Sequence, residues 1–225
     1  REEAEIGGCL PPFIIPPVIA SAVPDTVPSL KANSGHSVTL TGDGFSGVHT
    51  VSVDGVALET IPPAFEVFDD STITFEPPPS TTLGTVEVVI FNTAGSDSVD
   101  LTFVAPDPPV LRLGAGSPLE ILSSLAPVEL RMGGTPGDVA LLFVSLSNAP
   151  SVAPGIVSFG IGNGFANLIP LGVHVIEPFG WVEEVLGVSG LPINLDLYFQ
   201  HATVDPITQE LPAEESNVSH GFWVF

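Results

Sequence analysis

Positive charge is almost missing from this chain. Arg1, Lys31, Arg112 and Arg131 are its only bases against 26 acids, giving a formal net charge of −22 over 225 residues, and no base follows Arg131. Binding nucleic acid takes cationic groups that displace counterions from phosphates, so that partner is excluded. Anionic membrane surfaces are excluded on the same ground. Cysteine is reduced to Cys9, which rules out an intrachain disulfide and leaves a free or intermolecularly paired thiol. Stability then rests on packed cores, and the length suffices for one large or two ordinary domains. Long apolar runs are lacking too: mean hydropathy is positive, yet no uninterrupted stretch is long enough to span a bilayer.

Patterns for catalysis are equally scarce. His36, His49, His174, His201 and His220 fall singly on separate segments, without the His/His or Cys/His spacing of a metal site. They read as surface or turn residues. No Gly-x-Ser-x-Gly nucleophile elbow occurs, and Gly160-Ile-Gly-Asn-Gly164 has no βαβ context and reads as a hairpin or bulge. Glu183 and Glu184 follow Trp181, but neighbouring strand residues face opposite ways and do not flank one glycosidic bond. No nucleophile, base and orienting group assemble, so the chain reads as non-enzymatic, with no cofactor apart from calcium.

What the chain does have is 24 prolines and 23 glycines punctuating short alternating runs, the signature of an all-β protein. Residues 1–23 read as an extended, Pro-rich arm. Its paired prolines favour polyproline or edge backbone, while Leu10, Phe13, Ile14, Ile15, Val18, Ile19 and Val23 call for burial. Burying such side chains contributes roughly 1.5–3 kcal/mol each before ordering entropy is subtracted. The arm therefore either lies along its own domain or docks on another copy of the chain. Ile6-Gly-Gly-Cys9 has the outline of a bacterial lipobox, but charged Arg1 to Glu5 stands where an apolar signal segment belongs. The expectation is a signal peptide already absent.

Ser34 to Ser46 is the most informative stretch. Val38 and Leu40 alternate with Thr39 and Thr41, Gly42-Asp-Gly44 breaks the run, and Phe45 offers an anchor for the turn. Val51-Ser-Val53-Asp-Gly55, Ser71 to Phe75 before Pro77-Pro-Pro79, Gly84 to Asn92 and Ser98 to Phe103 continue the series. Together with Val23 to Leu30, these residues resemble an IPT/TIG domain over 24–106. That resemblance implies an immunoglobulin-like β-sandwich serving adhesion or enzyme architecture outside the cell.

Residues 107–225 read as a second domain after Ala105-Pro-Asp-Pro-Pro109. Strands are expected at 128–132, 138–147, 155–159, 172–176, 182–188, 193–203 and 218–225, separated by turns such as Gly133-Gly-Thr-Pro-Gly137. In the clearest, Leu195, Leu197 and Phe199 face one way and Asp196, Tyr198 and Gln200 the other. The spacing fits an antiparallel sandwich, Ig-like or jelly-roll-like. Gly133 to Gly137 with Leu141 to Ser145, Leu197 to Gln200, Asp205-Pro206 and Ser216-Asn217 resemble a C-terminal β-domain of secreted planctomycete-like bacterial proteins, which implies no activity.

Two functions follow as expectations for an extracellular or cell-surface protein. The first is a self-assembling fibre, surface-layer or matrix subunit joined through the arm by strand addition. The alternative is a carbohydrate-binding or adhesive module, with Trp181, Tyr198 and Trp223 as stacking platforms for a polysaccharide. Asp69 and Asp70 are the leading pair for calcium, and Asn217-Val-Ser219 fits an N-glycosylation acceptor.

Overall fold

The computed structural model describes residues 14–30, 37–58, 64–114, 119–122, 127–187, 194–209 and 213–223. Among these the chain is all-β, without a helix, and no helix long and apolar enough to cross a membrane occurs.

Alternation sets the local structure. Val38–Asp43 is a strand with Val38 and Leu40 fully buried and Thr41 and Asp43 facing water. It lies between Val18–Val23 and Thr72–Phe75 in a four-stranded sheet that ends on Phe65–Asp69. A five-stranded sheet follows the order Thr26–Pro28, Gly95–Val104, Gly84–Asn92, Thr50–Val53, Val56–Ala57. Val38, Leu40, Ile73 and Phe75 on the first sheet, and Val51, Val53, Val88 and Ile90 on the second, are at most 2% exposed. These two inward rows are the core of a sandwich.

The turn after Val38–Asp43 is fixed by packing. Phe45 is fully buried. A Cβ on Gly42 would overlap the Val18 carbonyl oxygen and lie 2.6 Å from Phe45 Cζ, so only glycine allows the first strand to pass there. Val18–Val23, the end of the arm in sequence, is thus a paired strand of its own chain.

Compact grouping does not follow sequence order. One unit takes Arg1–Val23, Val38–Phe75 and Glu87–Asp100; the other takes Pro24–Ser37, Glu76–Val86 and Leu101–Phe225. In the larger unit, Val110–Leu113, Val128–Gly133 and Trp181–Leu186 form an antiparallel sheet. A second sheet runs Leu119–Leu122, Ser219–Trp223, Leu195–Val204, Val139–Ser145, Ile169–Val175, with Glu214–Glu215 paired beside Leu195–Val204. Leu111, Leu113, Leu130 and Met132 from one sheet pack with Ala140, Leu142, Leu197 and Phe199 from the other.

The larger sheet is also covered on its other face. The hairpin Ser151–Ala153/Val157–Phe159 and the turns after it lay Phe159 and Ile161 against Ala202, Phe143 and Tyr198. Gln200, which alternation points outward, is consequently buried. Its Oε1 accepts the Gly160 N–H at 2.9 Å and its Nε2 donates to the Ser216 carbonyl at 2.7 Å. Antiparallel pairing is not universal either: Leu119–Leu122 runs parallel to Ser219–Trp223, and Thr26–Pro28 parallel to Gly95–Val104.

Candidate functional site

Tyr198 and His220 sit directly opposite each other on neighbouring strands. Their rings are 4.6 Å apart and 14° from parallel, which is a cross-strand stack. Tyr198 leans on the cluster around Phe159 and Ile161, which fixes its inner side. Asp196 stands two residues along the same strand and on the same face. Its Oδ1 accepts a 2.8 Å hydrogen bond from His220 Nε2, and since a carboxylate only accepts, that nitrogen carries the proton. The side chains remain accessible, His220 at 31% and Asp196 at 52%. The patch therefore offers a rigid aromatic pair beside an exposed carboxylate. An aromatic ring presents an apolar face, and an exposed carboxylate oxygen accepts a hydrogen bond from a hydroxyl.

The other two aromatics of the expected platform are placed differently. Trp181 is half-buried and its indole N–H donates to the Ser80 carbonyl at 2.8 Å. The Phe179 ring meets its edge at 5.0 Å, and the Arg131 guanidinium lies 5.8 Å from its centroid. Arg131 is in turn held by Glu183 and Glu129. Trp181 is thus committed to packing inside its unit. Trp223 closes the Ser219–Trp223 strand, and its side chain lies outside the described residues.

Of the arm residues, Leu10 and Phe13 lie outside the described residues. Ile14 and Ile15 are little more than one-third exposed, and the Ile15 carbonyl accepts from Asn92 Nδ2 at 2.7 Å. Asn92 also donates to the Gly44 carbonyl and accepts from the N–H groups of Ala94 and Gly95, so one buried amide ties three segments together. Val18, Ile19 and Val23 belong to the paired strand, with Val18 and Val23 exposed and Ile19 half-buried.

Asp69 and Asp70 act as turn anchors. Asp69 Oδ1 accepts from the Ser71 N–H and hydroxyl, and Asp70 is hydrogen-bonded by the Ser46 hydroxyl and, at Oδ1, by the Ser46 N–H, bonds that hold both carboxyls below their ordinary range. No group of three or more metal-ligating side chains forms among the described residues. A polar cleft of about 340 Å³ opens elsewhere, lined by Thr135, Asp138, Thr203, Asp205, Thr208 and Glu214. Burial pushes the Asp138 carboxyl up, and Asp205 and Glu214 push it further. Asp205 is instead held down by the Ile207 N–H and the Thr208 hydroxyl, which close a turn on it.

Periodicity alone does not reveal three structural polar residues. His201 is fully buried, not a surface histidine, because its strand turns that face toward the other sheet; its Nε2–H donates to the Gly133 carbonyl at 3.1 Å. Ser216 brackets the same residue, accepting the His201 N–H on its hydroxyl and donating its own N–H to the His201 carbonyl. Asn217, the amide of the glycosylation pattern, binds the backbone N–H and C=O of Leu111 with both its ends.

Residues 17–104 match the IPT/TIG domain family. No curated protein matches the chain. Among solved structures the chain is similar to SGBP-B from a complex xyloglucan utilization locus in Bacteroides uniformis, at 15% identity and TM-score 0.34, with 92% of this chain and 68% of that chain covered. It is similar to a tandem of titin Ig domains at 12% identity and TM-score 0.36, covering 92% of this chain and 96% of that one. A third likeness, at 9% identity and TM-score 0.27, is to SGBP-B of the Bacteroides ovatus mixed-linkage glucan utilization locus in complex with a mixed-linkage heptasaccharide, covering 89% and 43%.

Proposed function

We propose, taking as premise that residues 17–104 are an IPT/TIG domain, that this chain is a non-enzymatic extracellular or cell-surface module that binds carbohydrate. The observation that carries the proposal is the stacked Tyr198–His220 pair with Asp196 bonded beside it, at the part of the covered face where the His220 and Asp196 side chains stay exposed. Neutral polysaccharide suits that surface better than an anionic one, because a net charge of −22 repels polyanions at a distance. A filament joined through the arm is not carried forward: Ile15 is pinned by Asn92, and Val18–Val23 is paired within its own chain.

A glycan array tests the proposal. The chain should bind at least one neutral glycan, and Tyr198→Ala should weaken that binding roughly tenfold or more, the worth of about 1.5 kcal/mol of lost ring contact, while remaining folded at the assay temperature with a lowered melting temperature, because the ring also packs on the Phe159 and Ile161 cluster. Retained binding by a folded Tyr198→Ala variant, or no neutral glycan bound, overturns it.

A further inference from the structure

The polar cleft of about 340 Å³ lies at one end of the larger sheet of the second unit, and Thr203 stands on its wall. In the strand register Thr203 is opposite Glu214 on one side and Ala140 on the other, so the three share a face. Asp138 and Asp205 come one residue beyond the last pair, Val139 with Val204, and line the same cleft. Three carboxylates therefore border one opening. Burial first, then the charges of Asp205 and Glu214, push the Asp138 carboxyl up. Among the described residues no base lines the cleft. None follows Arg131 in the chain, and Arg131 itself is held by Glu129 and Glu183.

Thr203 adds a signal of a different kind. It is 3% exposed, and its buried Oγ1 has no hydrogen-bond partner. Its other branch, the Cγ2 methyl, is turned toward Gly134, 3.1 Å from where a Cβ on that glycine would stand. Leaving a buried hydroxyl unpaired costs roughly 1–3 kcal/mol. On a cleft wall, such an orphan is completed by an atom that enters the cleft. Asp205 is already fixed in place there. The Ile207 N–H bonds its Oδ1 at 2.8 Å and the Thr208 hydroxyl its Oδ2 at 2.9 Å. Each oxygen keeps a further lone pair for a ligand.

We propose that this cleft binds a protonated primary amine that also carries hydroxyls, the chemistry of an unacetylated amino sugar. The acids set the sign of the ligand's charge, and Thr135, Thr203 and Thr208 offer partners for its hydroxyls. A metal ion is the competing cation and fits less well. Calcium takes six to eight oxygens at about 2.3–2.6 Å, yet no group of three or more metal-ligating side chains forms among the described residues. The space exceeds that of a bare ion as well. It has room for roughly ten waters at about 30 Å³ each. An ammonium instead donates three hydrogen bonds in separate directions, which suits carboxylates that border a cleft without converging on one point. The site is independent of the Tyr198–His220 pair, because Tyr198 packs on the other face of the sheet from Phe199 and Thr203.

Titration calorimetry of the whole chain at neutral pH, with glucosamine, glucose and calcium chloride as probes, tests this. Glucosamine should bind roughly tenfold or more tightly than glucose, as a charge-assisted hydrogen bond provides. Asp138→Asn should remove that advantage without lowering the melting temperature, because it takes away a half-buried like charge. Thr203→Val should weaken glucosamine severalfold and leave the melting temperature at least as high, since only an unpaired hydroxyl is lost. If Asp138→Asn folds poorly, Glu214→Gln, at an exposed position, should give the same loss. Glucosamine bound no tighter than glucose overturns the proposal. So does an advantage that survives both carboxylate substitutions, or calcium that binds more tightly than glucosamine and displaces it.

Discussion

His201 is the residue whose surroundings say most about how the chain responds to acid. It is fully buried, and burial lowers its pKa from 6.5 to about 4, with the Gly133 carbonyl opposing that shift weakly. The sign follows from which state takes up the proton first. The unfolded chain protonates His201 near its ordinary value, whereas the folded chain resists down to about 4. Stability is therefore full above pH 6.5 and falls progressively toward pH 4, by on the order of 3 kcal/mol. Asp69, Asp70 and Asp205 are depressed carboxylates, so the stability they contribute is lost only as pH falls below 3.8, a separate window. Asp138 and Glu215 are raised and act in the opposite sense just above their ordinary values. Urea midpoints measured between neutral pH and pH 4 should decline with decreasing pH across the histidine window; a flat profile contradicts the buried, neutral imidazole.

At the scale of strands and turns, the firmest prediction concerns Gly42. A Cβ at Gly42 would meet the Val18 carbonyl oxygen and the Phe45 ring, so Gly42→Ala must push the first strand off the sheet or displace a fully buried aromatic. Overpacking of this kind costs about 3 kcal/mol, read as a lowered urea midpoint; unchanged stability would contradict the packing described. The same stretch shows what was legible in sequence. Alternation at Val38 to Thr41 and the glycine break placed the strand, and Phe45 does anchor the turn. Leu195–Val204 was legible for the same reason. Phe65–Asp69 was not, because a bulge between Val67 and Asp69 interrupts its period. Gln200 misleads because a distant hairpin covers its face, and period-2 patterning carries no information about covers. Tyr198 and Asp196 were readable as outward residues, but their meeting with His220 depends on a register joining strands across a long connection. Parallel pairs such as Leu119–Leu122 with Ser219–Trp223 leave no local trace either.

For the whole molecule, charge and topology act together. Acids stand on several of the described strand edges, Glu66 and Asp69 on one and Glu183 and Glu184 on another, and at a net charge of −22 they repel other acidic edges. Against that background one feature stands out, the stacked Tyr198–His220 pair beside the Asp196 carboxylate. The central claim is that carbohydrate binds at the aromatic pair. Histidine ring NMR reports on it most directly, because His220 lies in the stack while His201 is buried in the core. When a neutral oligosaccharide found on the array is titrated in, the His220 ring signals should shift in a saturable way while those of His201 stay fixed. Saturable binding that leaves the His220 signals unmoved would contradict the claim.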